Sequence, residues 1–128
     1  MSKKVLNIVE TAYRATLEEQ DDTVLWLTQV LQWAGADMSL LLRGNAVNYA
    51  ARGQDASGLA LGEWRQTQPP RLEQDLERLL GKGVRVLAVA DDLGERGLEP
   101  RDLVSGVETV ARSGLPSLLE RYDQVWHW

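Results

Sequence analysis

The chain has 128 residues, 44% hydrophobic and 26% charged, with a formal net charge of −5. That is the size of one domain of about 100–150 residues, and the acidic balance gives no broad basic footprint for a nucleic-acid backbone. The absence of cysteine excludes disulfides, thiolate metal sites, iron–sulfur ligation and persulfide chemistry on this chain.

No apolar run approaches the ~20 residues that span a bilayer. The start, MSKKVLNIVE, is basic, but Glu10 closes its apolar part after five residues, short of the ~7–15 of a signal-peptide core. A cytoplasmic protein with no membrane or nucleic-acid partner is expected.

Val5–Val9, broken only by Asn7, suits a strand buried on both faces. After a polar stretch from Arg14 to Asp22, Asp22 or Thr23 can cap a helix that reaches Ala34 and stops at Gly35. Val24, Leu27, Val30, Leu31 and Ala34 fall on one stripe of it, predicted to face the sheet. Met38–Leu42 reads as a second buried strand, and Arg43-Gly44-Asn45 as the turn into a short helix, Ala46–Arg52, ended by Gly53. From Gln54 to Pro70 no period is sustained, which predicts a long loop. Helical spacing returns over Arg71–Leu80, followed by a strand at Val84–Val89 and a short helical turn to Arg96. Val107–Val110 is a further candidate strand. Ser113 precedes a helix with Pro116 in its first turn, and Asp123 introduces a last strand, Gln124–Trp128. Strands alternating with helices imply a mostly parallel α/β sheet covered on both faces.

In open α/β sheets ligands bind beyond the carboxyl ends of the strands, which directs attention to Glu10, Arg43, Gly44, Asn45, Asp91 and Asp92. Asp91 and Asp92 have two readings. They bind a hard cation or share a proton with help from Glu10, or one of them caps the short helix after the strand. Likewise Arg43 with the amides around Gly44 and Asn45 can receive an anion. Otherwise Gly44 permits the turn, Asn45 caps the next helix, and Arg43 lies in solvent or pairs with Asp91 or Asp92. No nucleotide fingerprint accompanies Gly44. His127, the only histidine, has no partners for a metal cluster or a catalytic triad and reads as structural. No metal, no cofactor and no catalytic residue are expected, so enzymatic activity is not favoured.

Five tryptophans and no phenylalanine also need placing. Trp26 and Trp33 lie about 20° apart on a helical wheel and roughly 110° from the centre of the Leu27/Leu31/Ala34 stripe. They either cover the helix edge within the monomer or form a subunit contact. Trp64, in the predicted loop, can cover a pocket or a neighbouring subunit.

In order and spacing, VLNIV, LLLRGNAV followed by ARGQ, the GV-x-V strand, the ERGL turn, SGVET and the closing YDQVWHW resemble the DsrE-like (DsrE/DsrF) family of small sulfur-relay proteins, nearest its homo-oligomeric YchN-type members. The resemblance covers nearly the whole chain, as a single domain, 1–128. It implies a three-layer α/β/α sandwich with a mainly parallel five-stranded sheet of order 4-3-2-1-5, assembled as trimers or hexamers. Sulfur-carrying members have cysteine at one or both ends of a C-x-x-C segment that here corresponds to Val89 and Asp92. Neither can hold sulfane sulfur. The resemblance therefore implies a non-catalytic oligomeric scaffold or accessory protein, with a sulfur-relay protein as a possible partner. The other reading is a small-molecule or anion-binding protein, or an enzyme, that uses the polar pocket at the strand ends.

Overall fold

The computed structural model of the protein describes residues 3–12, 23–55, 60–65, 67 and 71–128. Five strands form one sheet: β1 (Lys4–Val9), β2 (Asp37–Leu42), and three further strands that follow the helices. Between β1 and β2 runs α1 (Thr23–Trp33), and β2 leads into a 3-10 segment, Gly44–Ala50. A two-stranded antiparallel hairpin follows, β3 (Ala60–Leu61) and β4 (Trp64–Arg65). The chain continues through α2 (Leu72–Gly81), β5 (Arg85–Val89), α3 (Ala90–Glu95), β6 (Glu108–Val110), α4 (Leu115–Leu119) and β7 (Gln124–His127). The main sheet has the order β6-β5-β2-β1-β7 with every pair parallel. Counting only its own strands, this is the order 4-3-2-1-5 that the family resemblance implies.

Side-chain alternation divides the strands between two cores. Val5, Val9, Met38, Leu40, Leu42, Val84, Val86 and Ala88 pack with α1, α2 and the 3-10 segment on one face. Leu6, Ile8, Leu41, Leu87 and Val89 meet Leu118 of α4 on the other. Burial on both faces is why these strands read as nearly continuous apolar runs.

Three expectations are corrected. The predicted α1 stripe is rotated by roughly a quarter-turn: Val24, Leu25 and Thr28 are buried, whereas Ala34 is exposed. The cause lies in β1. Asn7 is completely buried, and its amide donates to Thr28 Oγ1 at 2.9 Å while that hydroxyl donates to the Val24 carbonyl at 2.8 Å. Trp128 Nε1 donates to Asn7 Oδ1 at 3.2 Å. A buried amide left without partners costs more than an apolar stripe turned aside. Second, the helix expected at Ala46–Arg52 is the 3-10 segment Gly44–Ala50. Third, the expected loop 54–70 contains the hairpin, turned at Gly62, where φ is +62°. The polar stretch from Arg14 to Asp22, and with it the Asp22 cap, lies outside the described residues. No helix among the described residues is long and apolar enough to cross a membrane.

Candidate functional site

At the carboxyl ends of β1 and β2 the chain makes an open cleft of about 730 Å³, lined by Glu10, Thr11, Ala12, Gly44, Asn45, Asn48 and Arg96. Gly44 is what lets β2 turn here. Its φ is +55°, a left-handed conformation that costs other residues steric energy, and a Cβ at this position would stand 3.3 Å from Glu10 Cγ. The turn brings the start of the 3-10 segment against α3.

The two adjacent acids divide their work. Asp92 Oδ2 accepts the Gly44 amide at 2.8 Å, and its Oδ1 accepts from the Arg112 guanidinium. Exposed Asp91 accepts the backbone amide of Arg112 at 2.8 Å, at the start of the 3-10 turn Arg112–Gly114. Neither caps its own helix, because α3 begins after Val89 and has no side-chain cap. The expectation of a local cap is thus corrected: each acid satisfies an unpaired amide at the start of a different element. Burial pushes the Asp92 carboxyl up, but the Gly44 amide and Arg112, helped by Arg96, outweigh it and hold the group below the usual carboxylate range. Asp92 and, more weakly, Glu95 raise Arg112 in turn.

Arg43 and Asn45 also depart from expectation. Arg43 pairs with Glu10, Nε to Oε1 at 3.5 Å, and the arginine that neutralises Asp92 is Arg112. Asn45 lies within the 3-10 segment, whose preceding residue is Arg43, and its Oδ1 accepts from Arg96 at 2.8 Å. Arg96 also donates to the Asp92 carbonyl at 3.0 Å. The guanidinium is therefore clamped at the cleft wall from α3. On the other wall, Glu10 Oε2 and His127 Nε2 are 3.0 Å apart, joining the end of β1 to the end of β7.

Of the residues the sequence singled out, Glu10, Gly44 and Asn45 line the cleft, and Arg43 flanks it through Glu10. Asp92 braces its floor from behind, and Asp91 points to the β6–α4 connection. Sequence reasoning missed Thr11, Asn48, Arg96 and the pairing of His127. The ERGL turn was the available signal for Arg96, since it follows the strand by one helical turn. No group of three or more His, Asp or Glu among the described residues is placed to hold a metal ion.

Val89, one of the two positions that the sequence resemblance matched to cysteine, is completely buried. The three tryptophans are all open to solvent: Trp33 is 83% exposed, Trp26 53% and Trp64 47%. Trp33 meets only the Lys82 ammonium, 5.8 Å from its ring centroid, among the described ring contacts.

No family model matches the chain, and no curated protein matches it in sequence. Its structure is similar to that of the YchN protein from E. coli, with a TM-score of 0.74 and 24% identity over 100% of both chains. It is also similar to MTH1491 from Methanobacterium thermoautotrophicum, a protein of unknown function, with a TM-score of 0.63 and 19% identity over 98% of this chain and 99% of that one. For BT1422 from Bacteroides thetaiotaomicron, a conserved protein of unknown function, the TM-score is 0.66 and the identity 12%, over 98% and 95%. Likeness at these identities establishes the shared fold.

Proposed function

We propose that this chain is a DsrE-like, cytoplasmic, homo-oligomeric scaffold or accessory protein, working beside a sulfur-relay partner that supplies the thiol. The observation that carries the reading is the state of the two positions where sulfur-carrying relatives have cysteine. Val89 is sealed in the core, and the Asp92 carboxylate is committed to the Gly44 amide and Arg112. The site's architecture is kept by a carboxylate that cannot accept sulfane sulfur. Assembly into a trimer or hexamer is supported by the exposed Trp26, Trp33 and Trp64, since large aromatics are enriched at subunit contacts.

The test is incubation with a sulfur donor, alone and with a persulfide-loaded relay protein, followed by intact-mass analysis and cross-linking. The expected result is no reductant-sensitive gain of sulfur on this chain, together with capture of the loaded partner. Sulfur bound covalently to this chain, or no association with any relay protein, contradicts the reading.

A second reading, a small-molecule or anion-binding protein or an enzyme, is favoured by one observation: Arg96, Asn45, Asn48 and Thr11 converge on the cleft with Glu10 opposite. A native mass spectrum that retains a stoichiometric metabolite, lost on Arg96→Ala, decides for it.

A further inference from the structure

The opposite end of the sheet carries a second hollow. It measures about 340 Å³ and is lined by Lys4, Asp37, Met38, Ser39, Gly83, Arg85, Arg121 and Tyr122. Its origin is in the strand alternation. Lys4, Ser39 and Arg85 occupy the same face of the sheet as Leu6, Leu41 and Leu87, two residues further along each strand. Among the described residues, the helix packed on that face in the second core is α4, which is five residues long. It covers the apolar carboxyl-terminal halves of the strands and leaves the polar amino-terminal halves open, with Arg121 and Tyr122 forming a wall where the chain leaves the helix.

Three of the chain's 14 basic residues, Lys4, Arg85 and Arg121, line this hollow beside the one lining carboxylate, that of Asp37, while at its edge Asp123 accepts the Lys4 backbone amide at 2.8 Å. Arg85 is held by Glu108 in a two-pronged contact, Nε to Oε2 at 2.7 Å and Nη2 to Oε1 at 3.1 Å, which fixes the orientation of its guanidinium. Lys4 and Arg121 have no ion pair among the described residues. Ser39 is only 6% exposed, and no described hydrogen bond uses its hydroxyl.

We propose that this hollow is an anion-binding site for a small molecule bearing a phosphate- or sulfate-type oxyanion. Lys4 and Arg121 supply the charge, and the Ser39 and Tyr122 hydroxyls supply neutral donors. Arg85, pre-oriented by Glu108, sets the approach from β5. Cations already gathered in a concave site pay less for binding an oxyanion than a free surface does. The volume exceeds that of a bare ion, so the site fits an ester whose organic part rests on the Tyr122 ring. Asp37 opposes a second negative charge on that organic part and selects against polyanions.

The test uses the full chain labelled with 15N, titrated at constant ionic strength with inorganic phosphate and, separately, with phenyl phosphate. Saturable shifts are expected at the amides of Ser39, Gly83 and Tyr122, with phenyl phosphate binding more tightly, and Lys4→Met with Arg121→Gln should weaken binding by at least about tenfold. Both substituted side chains are exposed, so unchanged spectra elsewhere verify the fold. Ser39→Ala is a second probe that leaves the net charge unaltered and should weaken binding by a smaller factor. Saturation by inorganic phosphate but not by the ester would keep the anion site and assign it to the free ion. The proposal is overturned if neither probe gives saturable shifts at these amides, or if the double variant binds as the unaltered chain does.

Discussion

Asp92 and Gly44, 48 residues apart in the chain, are joined by a 2.8 Å hydrogen bond from the Gly44 amide to the Asp92 carboxylate. The bond ties the turn after β2 to the first turn of α3, and it puts a structural acid at a position that the sequence resemblance matched to cysteine. Because the acid also neutralises Arg112, its removal disturbs three elements at once. Asp92→Ala should cost about 1–3 kcal/mol in denaturant unfolding, the usual penalty for orphaning a largely buried donor. Asp91→Ala, which removes one exposed cap, should cost only about 0.5–1 kcal/mol. Equal costs for the two would mean that Asp92 has no special bracing role.

The same carboxylate predicts an acid response. Its pKa in the folded state is below the unfolded reference of 3.8. It therefore contributes stability that is fully present above the reference value and is lost as the pH falls through the folded value. Unfolding midpoints taken from about pH 6 downward should fall more steeply below about pH 4 in the unaltered chain than in Asp92→Asn. Parallel curves would assign the acid sensitivity to other groups.

The environment of Asp92 would suit a thiolate as well as a carboxylate. A cysteine introduced there by Asp92→Cys lies beside the Arg112 guanidinium and the Gly44 amide, so its thiol should titrate below the free value of about 8.5 and alkylate readily. Val89→Cys places the thiol in the core, where alkylation should need unfolding. Iodoacetamide rates across pH distinguish the two variants, and an inert Asp92→Cys would show that this position is not an accessible reactive site.

In the larger core, Thr28→Val leaves the Asn7 amide without its acceptor and should destabilise the fold by about 1–3 kcal/mol. Replacing both partners, Asn7→Leu with Thr28→Val, should recover part of that loss, although Trp128 Nε1 then lacks its acceptor as well. A double variant whose loss equals the sum of the two single losses would mean the pair is not coupled.

These relationships mark where the sequence is legible. The runs VLNIV, MSLLL and VRVLAV announce buried strands because both faces of the sheet are covered, and the alternation with helices announces a parallel sheet. The strand order needed the family resemblance, since periodicity carries no information on which strands are neighbours. Counting apolar residues misplaced the buried side of α1, because a Thr28 that satisfies Asn7 looks like a solvent-facing residue. The hairpin at 60–65 escaped because two-residue strands are too short to show a period. At the site, chemistry at the strand ends pointed to Glu10, Gly44, Asn45 and Asp92, but their partners are remote in sequence. Arg112 is 20 residues from Asp92, Arg96 is 51 from Asn45, and His127 is 117 from Glu10.

The proposed scaffold role depends most on assembly, and Trp26 and Trp33 give it a handle. On α1 they face away from the buried Val24, Leu25 and Thr28, so substitutions there leave the monomer core untouched. Sedimentation velocity of the unaltered chain at low micromolar concentration, beside Trp26→Glu with Trp33→Glu, is the most direct measurement. The account predicts one defined trimer or hexamer for the unaltered chain and a folded, dissociated species for the double variant. A well-folded monomer from the unaltered chain across that range would contradict it.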